Sequence, residues 1–144
     1  ISNALRKVGI DLRNILFKSV HDAFGGNLRE IVCGGAPIRP EIGKFFNDIG
    51  IILLNGYGIS ECSPLVSVNR LKFNDSSTVG VILPCCEVKF ENVTPDGDGE
   101  VCVKGDIVMK GYYKEQEKTD RVLKDGWFNT EDYGRFNKTR LNCC

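Results

Sequence analysis

From Leu12 to Phe24 the apolar residues Leu12, Ile15, Leu16, Val20, Ala23 and Phe24 recur at helical spacing. This predicts an amphipathic helix with Asp11 as its N-cap and Gly25-Gly26 as its stop. The next apolar run, LREIVC (Leu28 to Cys33), is short, β-branched and bounded by glycine, so it reads as a buried strand that opens into GGAPIRP. Pro40 suits the first turn of a second helix, in which Ile42, Phe45, Phe46 and Ile49 share one face and Gly50 ends the pattern. The strand Ile51 to Leu54 follows at once.

Strand, loop, helix, strand is a βαβ unit, whose two strands are expected to lie parallel with a right-handed crossover. Its loops, GGAP and NGYGISE, leave the carboxyl ends of the strands, where open α/β sheets bind ligands. Beyond Asn74 the pattern shortens. CEVKF (Cys86 to Phe90) alternates with period two, PDGDG turns the chain and EVCVKG (Glu100 to Gly105) returns it, which predicts a β-hairpin. A brief polar helix over Glu115 to Leu123 precedes DGWFNTEDYGRF, read as two short strands around a turn. The expected fold is therefore α/β: a βαβ part of an open parallel sheet, then a small, mainly-β, barrel-like subdomain. Asn69 to Ser77 is the best boundary, and it divides the chain into 1–72 and 73–144.

With 144 residues, 42% of them hydrophobic, the chain can bury one core and a small second one. Lys plus Arg and Asp plus Glu each number 19, and with no basic block a nucleic-acid partner is not expected. An anionic ligand must then be met locally. The seven cysteines (33, 62, 85, 86, 102, 143 and 144) show no paired CxxC spacing and no disulfide framework, which favours a reducing, cytoplasmic setting. The one histidine, His21, is expected as a partly exposed helix residue rather than a zinc ligand. No apolar run approaches the roughly 20 residues of a membrane span. The chain opens on Ile1 rather than methionine, so an excerpt of a longer protein is expected.

Each candidate for chemistry has a plain structural alternative. Gly56 and Gly58 would let the backbone approach a ligand, and Tyr57 between them offers a flat face to a purine; a tight turn with a core tyrosine fits equally. Ser60 and Glu61 suit a phosphate oxygen and its magnesium ion, or else a solvated cap. Gly34, Gly35 and Ala36 make either a wall for a planar ligand or a crowded βα turn. Asp132 is a ribose-diol acceptor or a turn residue.

Taken in order and spacing, GGAP, NGYGISE, GEVCVKGDIVMKGYY and DGWFNTED resemble the core motifs of the AMP-binding adenylate-forming enzymes. The likeness runs from about Leu12 to Phe136 and is nearest to long-chain fatty acyl-CoA synthetases through SECSPLVSVNR, Thr78 to Gly80 and VMKGYYK. It implies that residues 1–72 end the α/β AMP-binding subdomain and that a C-terminal lid domain is absent. It implies nucleotide binding by Gly35, Ala36, Pro37, Asn55, Gly56, Tyr57, Gly58 and Asp132, with Tyr57 stacking on adenine and Asp132 on the ribose. Ser60 matches a phosphate-binding threonine and Glu61 the magnesium ligand; these two are the implied catalytic residues.

The implied activity is that of a long-chain fatty acid-CoA ligase using ATP, Mg²⁺ and coenzyme A, with acyl-AMP as intermediate. The implied partners are fatty acid, ATP and CoA, together with the missing C-terminal domain; the resemblance also leaves room for peripheral membrane contact. The fragment alone is expected to be inactive. An aryl-CoA ligase, a peptide-synthetase adenylation domain and an inert nucleotide-binding remnant are the alternatives. Two departures stand out: Glu131 occupies a position where the family usually has glycine, and NKTRLNCC resembles nothing in the pattern.

Overall fold

The computed structural model describes residues 11–36, 38–137 and 140–143, the last group by backbone alone. The predicted first helix is two short ones, α1 (Arg13–Leu16) and α2 (Lys18–Ala23), separated at Phe17. Asp11 does not cap the first through its side chain; the N-cap is Leu12, and Asp11 instead grips the Arg13 backbone and guanidinium. The apolar face predicted there is not buried, since Ile15 and Leu16 stand exposed. What fixes both helices is polar. Arg13 Nη1 donates to the Asn47 carbonyl (2.8 Å), and His21 Nε2 donates to the Ile49 carbonyl (2.9 Å). His21 is therefore buried rather than partly exposed, because it serves a carbonyl left open at the end of the next helix.

Strand β1 (Glu30–Cys33) leads to helix α3 (Pro40–Ile49), with proline in its first turn and Gly50 in the left-handed conformation (φ 97°) at its end. Strand β2 (Ile52–Gly58) runs parallel to β1, from Glu30 opposite Ile52 to Cys33 opposite Asn55. Thus the βαβ unit is present. Neither β1 nor the helix face is as buried as the pattern predicts, because β1 is the edge of the sheet and Val32 and Phe45 are exposed.

Strand β2 does not end at Leu54. It continues through the supposed turn and pairs antiparallel with β3 (Leu65–Val68), Gly56 opposite Val68 and Gly58 opposite Leu65. Strand β4 (Val81–Ile82) completes a four-stranded mixed sheet in the order β1-β2-β3-β4, so this sheet takes its last strand from beyond residue 72.

The second sheet is antiparallel and five-stranded: β5 (Cys86–Glu91), β6 (Gly99–Gly105), β7 (Leu123–Lys124), β8 (Trp127–Asn137) and β9 (Arg140–Cys143). The β5–β6 hairpin and helix α4 (Gln116–Val122) lie where the pattern put them. In DGWFNTEDYGRF, by contrast, Asp125-Gly126 turns the chain from β7 into β8, and WFNTEDYGRF is one long strand with an irregularity in place of the expected turn. Cys102 faces Asn129 and Glu100 faces Tyr133, so β8 spends two more residues than β6 over this step. The bulge is what the turn-like composition encodes. The tail NKTRLNCC supplies β9, paired with β8. Cys62, Val66, Val101, Val103 and Phe128 form the core, with Tyr57, Ile59 and Met109 packed against it. Among the described residues no helix is long and apolar enough to cross a membrane.

Two substitutions test this arrangement. A methyl group on Gly58 would lie 2.0 Å from the Pro64 carbonyl oxygen, so Gly58→Ala is expected to cost about 1–3 kcal/mol or more of stability in urea unfolding. Glu131 sits at φ 62°, in the left-handed region. Glu131→Gly relieves about 1–2 kcal/mol of steric cost against about 0.5–1 of added chain entropy, so a small net gain in melting temperature is expected.

Candidate active site

The first wall of the site is built by the chemistry of β2. Its parallel half ends at Asn55 and its antiparallel half begins at Gly56, so Asn55 and Tyr57 lie on one face of the strand. The glycine after them is demanded by β3, since a Cβ on Gly58 would lie 2.0 Å from the Pro64 carbonyl oxygen; Gly56, between them, is tight, its Cβ position lying 3.1 Å from the Ser67 carbonyl oxygen. They serve strand pairing as well as any approach by a ligand.

The opposite wall is the bulge in β8. Glu131, in the left-handed conformation, bends the strand; its N–H donates to Asn129 Oδ1 (2.9 Å). Buried Thr130 donates its hydroxyl to the Val101 carbonyl (2.9 Å) and accepts the Asp132 N–H (3.2 Å). Asp132 is thereby turned toward the first sheet, where the Tyr57 hydroxyl donates to its Oδ2 at 2.6 Å. The Glu131 side chain points to solvent and does not line the cavity that Asp132 faces, so it does not crowd that space.

That cavity encloses about 270 Å³. Gly35, Ala36, Asn55, Gly56, Tyr57, Gly58 and Asp132, all assigned from sequence, line it together. Pro37 lies outside the described residues. Sequence reading missed the remaining polar wall, Ser76, Ser77 and Thr78. Its signal was a buried threonine inside the polar run NDSSTVG, which helical or strand periodicity does not flag. Asn55 is 7% exposed; its amide donates to the Ser76 carbonyl (3.2 Å), while its buried Oδ1 has no partner. An unpaired acceptor in such a wall suits a ligand N–H.

Ser60 and Glu61 stand apart from this lining, on the 3₁₀ turn Ser60–Cys62. The turn is closed by Ile59 N–H to the Pro64 carbonyl (2.7 Å) and anchored by fully buried Cys62. Burial, then the nearby Cys86 and Glu61, pushes the Cys62 thiol up to about 12, so it acts as an anchor and not as a nucleophile. Half-buried Glu61 accepts the Tyr112 hydroxyl at Oε1 (2.9 Å), and its carbonyl accepts the Met109 N–H (2.7 Å). Sequence reading did not single out Tyr112. The described residues contain no group of three or more His, Cys, Asp or Glu side chains suited to a metal. Glu61 alone suits magnesium, an ion that takes one or two carboxylates and fills its shell with water and phosphate oxygens.

Comparison with known proteins gives the same arrangement a lineage. The family described as AMP-binding enzyme matches residues 5–113. The long-chain-fatty-acid–CoA ligase FadD15 of Mycobacterium bovis is 33% identical over 120 residues, covering 83% of this chain and 19% of that protein. Long chain acyl-CoA synthetase 1 of Arabidopsis thaliana is 37% identical over 133 residues, covering 83% and 20%. The chain therefore spans about a fifth of the length of the curated relatives it matches. Among solved structures, o-succinylbenzoate coenzyme A synthetase of Bacillus subtilis, in complex with ATP and magnesium, superposes with a TM-score of 0.71 at 27% identity, over 80% of this chain and 26% of that one. The two-sheet fold of this chain is thus shared with that synthetase, and this chain belongs to the AMP-binding enzyme family.

Proposed function

We propose that this chain is the nucleotide-binding part of an ATP-dependent long-chain fatty acid-CoA ligase. The observation that carries the reading is the cavity in which Tyr57 of one sheet and Asp132 of the other converge beside Gly35 and Ala36. A flat ring, a diol acceptor and a thin wall are what a nucleoside requires. The orphaned Asn55 Oδ1 adds an acceptor for an exocyclic amine. Both relatives cited above are named for long-chain acids, which supports the choice of acid.

The chemistry begins from a poor electrophile. A carboxylate repels a thiolate, and its leaving group would be oxide. Attack of the carboxylate on the α-phosphate of ATP forms acyl-AMP and expels pyrophosphate; the CoA thiolate then displaces AMP. The residues of this chain act by binding and orientation: Tyr57 and Asp132 hold the nucleoside, Ser60 would donate to a phosphate oxygen, and Glu61 would hold magnesium. When bound, the ion neutralises charge on the phosphates as the α-phosphate is attacked. Adenylate formation abstracts no proton, because the attacking carboxylate is already ionised; only the later step, in which the CoA thiol becomes the attacking thiolate, requires a proton to be lost.

An aryl acid is the second reading, favoured by the likeness to o-succinylbenzoate coenzyme A synthetase. Profiling acyl-AMP formation by the full-length parent against fatty and aryl acids separates the two, and preference for an aryl acid overturns the first.

In that parent, Glu61→Gln is expected to slow adenylate formation by roughly 10²-fold, the usual loss for one electrostatic stabiliser. A parental rate at limiting Mg²⁺ would refute the assignment. ATP is expected to be preferred to 2′-deoxy-ATP or 3′-deoxy-ATP by about 1.5–3 kcal/mol, the scale for hydrogen bonds to a charged group. Asp132→Ala is expected to erase most of that preference, read as the ratio of kcat/KM values. It also removes the Tyr57–Asp132 hydrogen bond, so the melting temperature falls modestly; a fall in melting temperature with the ratio intact would leave Asp132 a structural residue only.

A further inference from the structure

Tyr112 is held at its backbone, at its ring and at its hydroxyl. Its N–H donates to Thr119 Oγ1 (2.9 Å), the Lys118 ammonium sits 4.3 Å from its ring centroid, and Thr119 is itself buried in the middle of α4. The neighbouring Tyr113 is 86% exposed, its ring approached by the Lys114 ammonium at 5.2 Å. From this fixed ring the hydroxyl reaches Glu61 Oε1 at 2.9 Å, and from the same segment the Met109 N–H holds the Glu61 carbonyl at 2.7 Å. One loop of the second sheet thus grips both the backbone and the carboxylate of a residue 51 positions away on the first.

We propose that Tyr112 is a positioning residue for the Glu61 carboxylate: it takes up Oε1 and fixes the rotamer, so that Oε2 is presented to the divalent cation that accompanies the nucleotide. The inference rests on the reading of Glu61 as the cation ligand and adds to it the group that orients the ligand. A glutamate on a three-residue turn has three rotatable bonds, and a free carboxylate there would lose conformational entropy each time it met a cation. A phenol donor removes that loss in advance, at the modest cost of some negative charge drawn from Oε1.

The test uses the complete parent enzyme and Tyr112→Phe, which keeps the ring, the Lys118 contact and the backbone bond while deleting the hydroxyl. Mn²⁺ binding is followed by electron paramagnetic resonance in the presence of α,β-methylene-ATP, beside Glu61→Gln and the parent. Tyr112→Phe is expected to weaken Mn²⁺ about 10-fold, the usual effect of removing a partner that orients a metal ligand. Glu61→Gln is expected to weaken it at least as far. AMP affinity in EDTA is expected to be unchanged in both, which a general loss of packing would not leave intact. Parental Mn²⁺ affinity in Tyr112→Phe, with Glu61→Gln impaired, overturns the positioning role alone. A matching fall in metal-free AMP affinity in Tyr112→Phe also overturns it. Parental Mn²⁺ affinity in Glu61→Gln overturns the ligand reading and the positioning role with it.

Discussion

Two phenol-to-carboxylate hydrogen bonds, running in opposite directions between the two sheets, set the geometry on which the site depends. Tyr57 of the first sheet donates to Asp132 of the second, and Tyr112, in a loop of the second half, donates to Glu61 of the first. A bond to an ionised acceptor is stronger than a neutral one and more directional than an ion pair between flexible chains. Each sheet therefore supplies one acid and receives one acid. Shear between the halves breaks both contacts together, so the cavity and the Glu61 turn keep a fixed relation.

Beneath these bonds lies an apolar seam rather than a polar one. Val66 and Cys62 from the first half meet Val101, Val103 and Phe128 from the second, all of them essentially inaccessible. The carboxylates of Glu61 and Asp132 stand outside this seam, half-buried, with part of their surface left to solvent. Formal neutrality of the whole chain fits the same logic: charge is handled by single groups placed at the site.

Much of this was legible in the chain because it is local. Helix α3 announces itself by Pro40 and Gly50, and the β5–β6 hairpin by alternation around PDGDG. What escaped was non-local. NGYG looks like a turn because glycine and asparagine favour turns, yet the Pro64 carbonyl packed against Gly58 needs glycine in a strand. NTEDYG looks like a turn because β8 bulges there, with Glu131 left-handed where the family resemblance expects glycine. His21 reads as half-solvated until one knows that the end of α3 presents the Ile49 carbonyl to it. The residues that line the cavity stand in motifs whose order marks them, whereas Tyr112 has no local mark: its partner lies 51 positions away.

The uncovered flank of β1 has a bearing on the behaviour of the chain in solution. Among the described residues β1 has a neighbour on one side only, and beside it Val32 is 64% and Phe45 57% exposed. A row of open peptide groups bordered by apolar side chains, with no proline within the strand, is a template for intermolecular strand addition. Handled alone, the chain consequently offers an edge open to self-association as concentration rises.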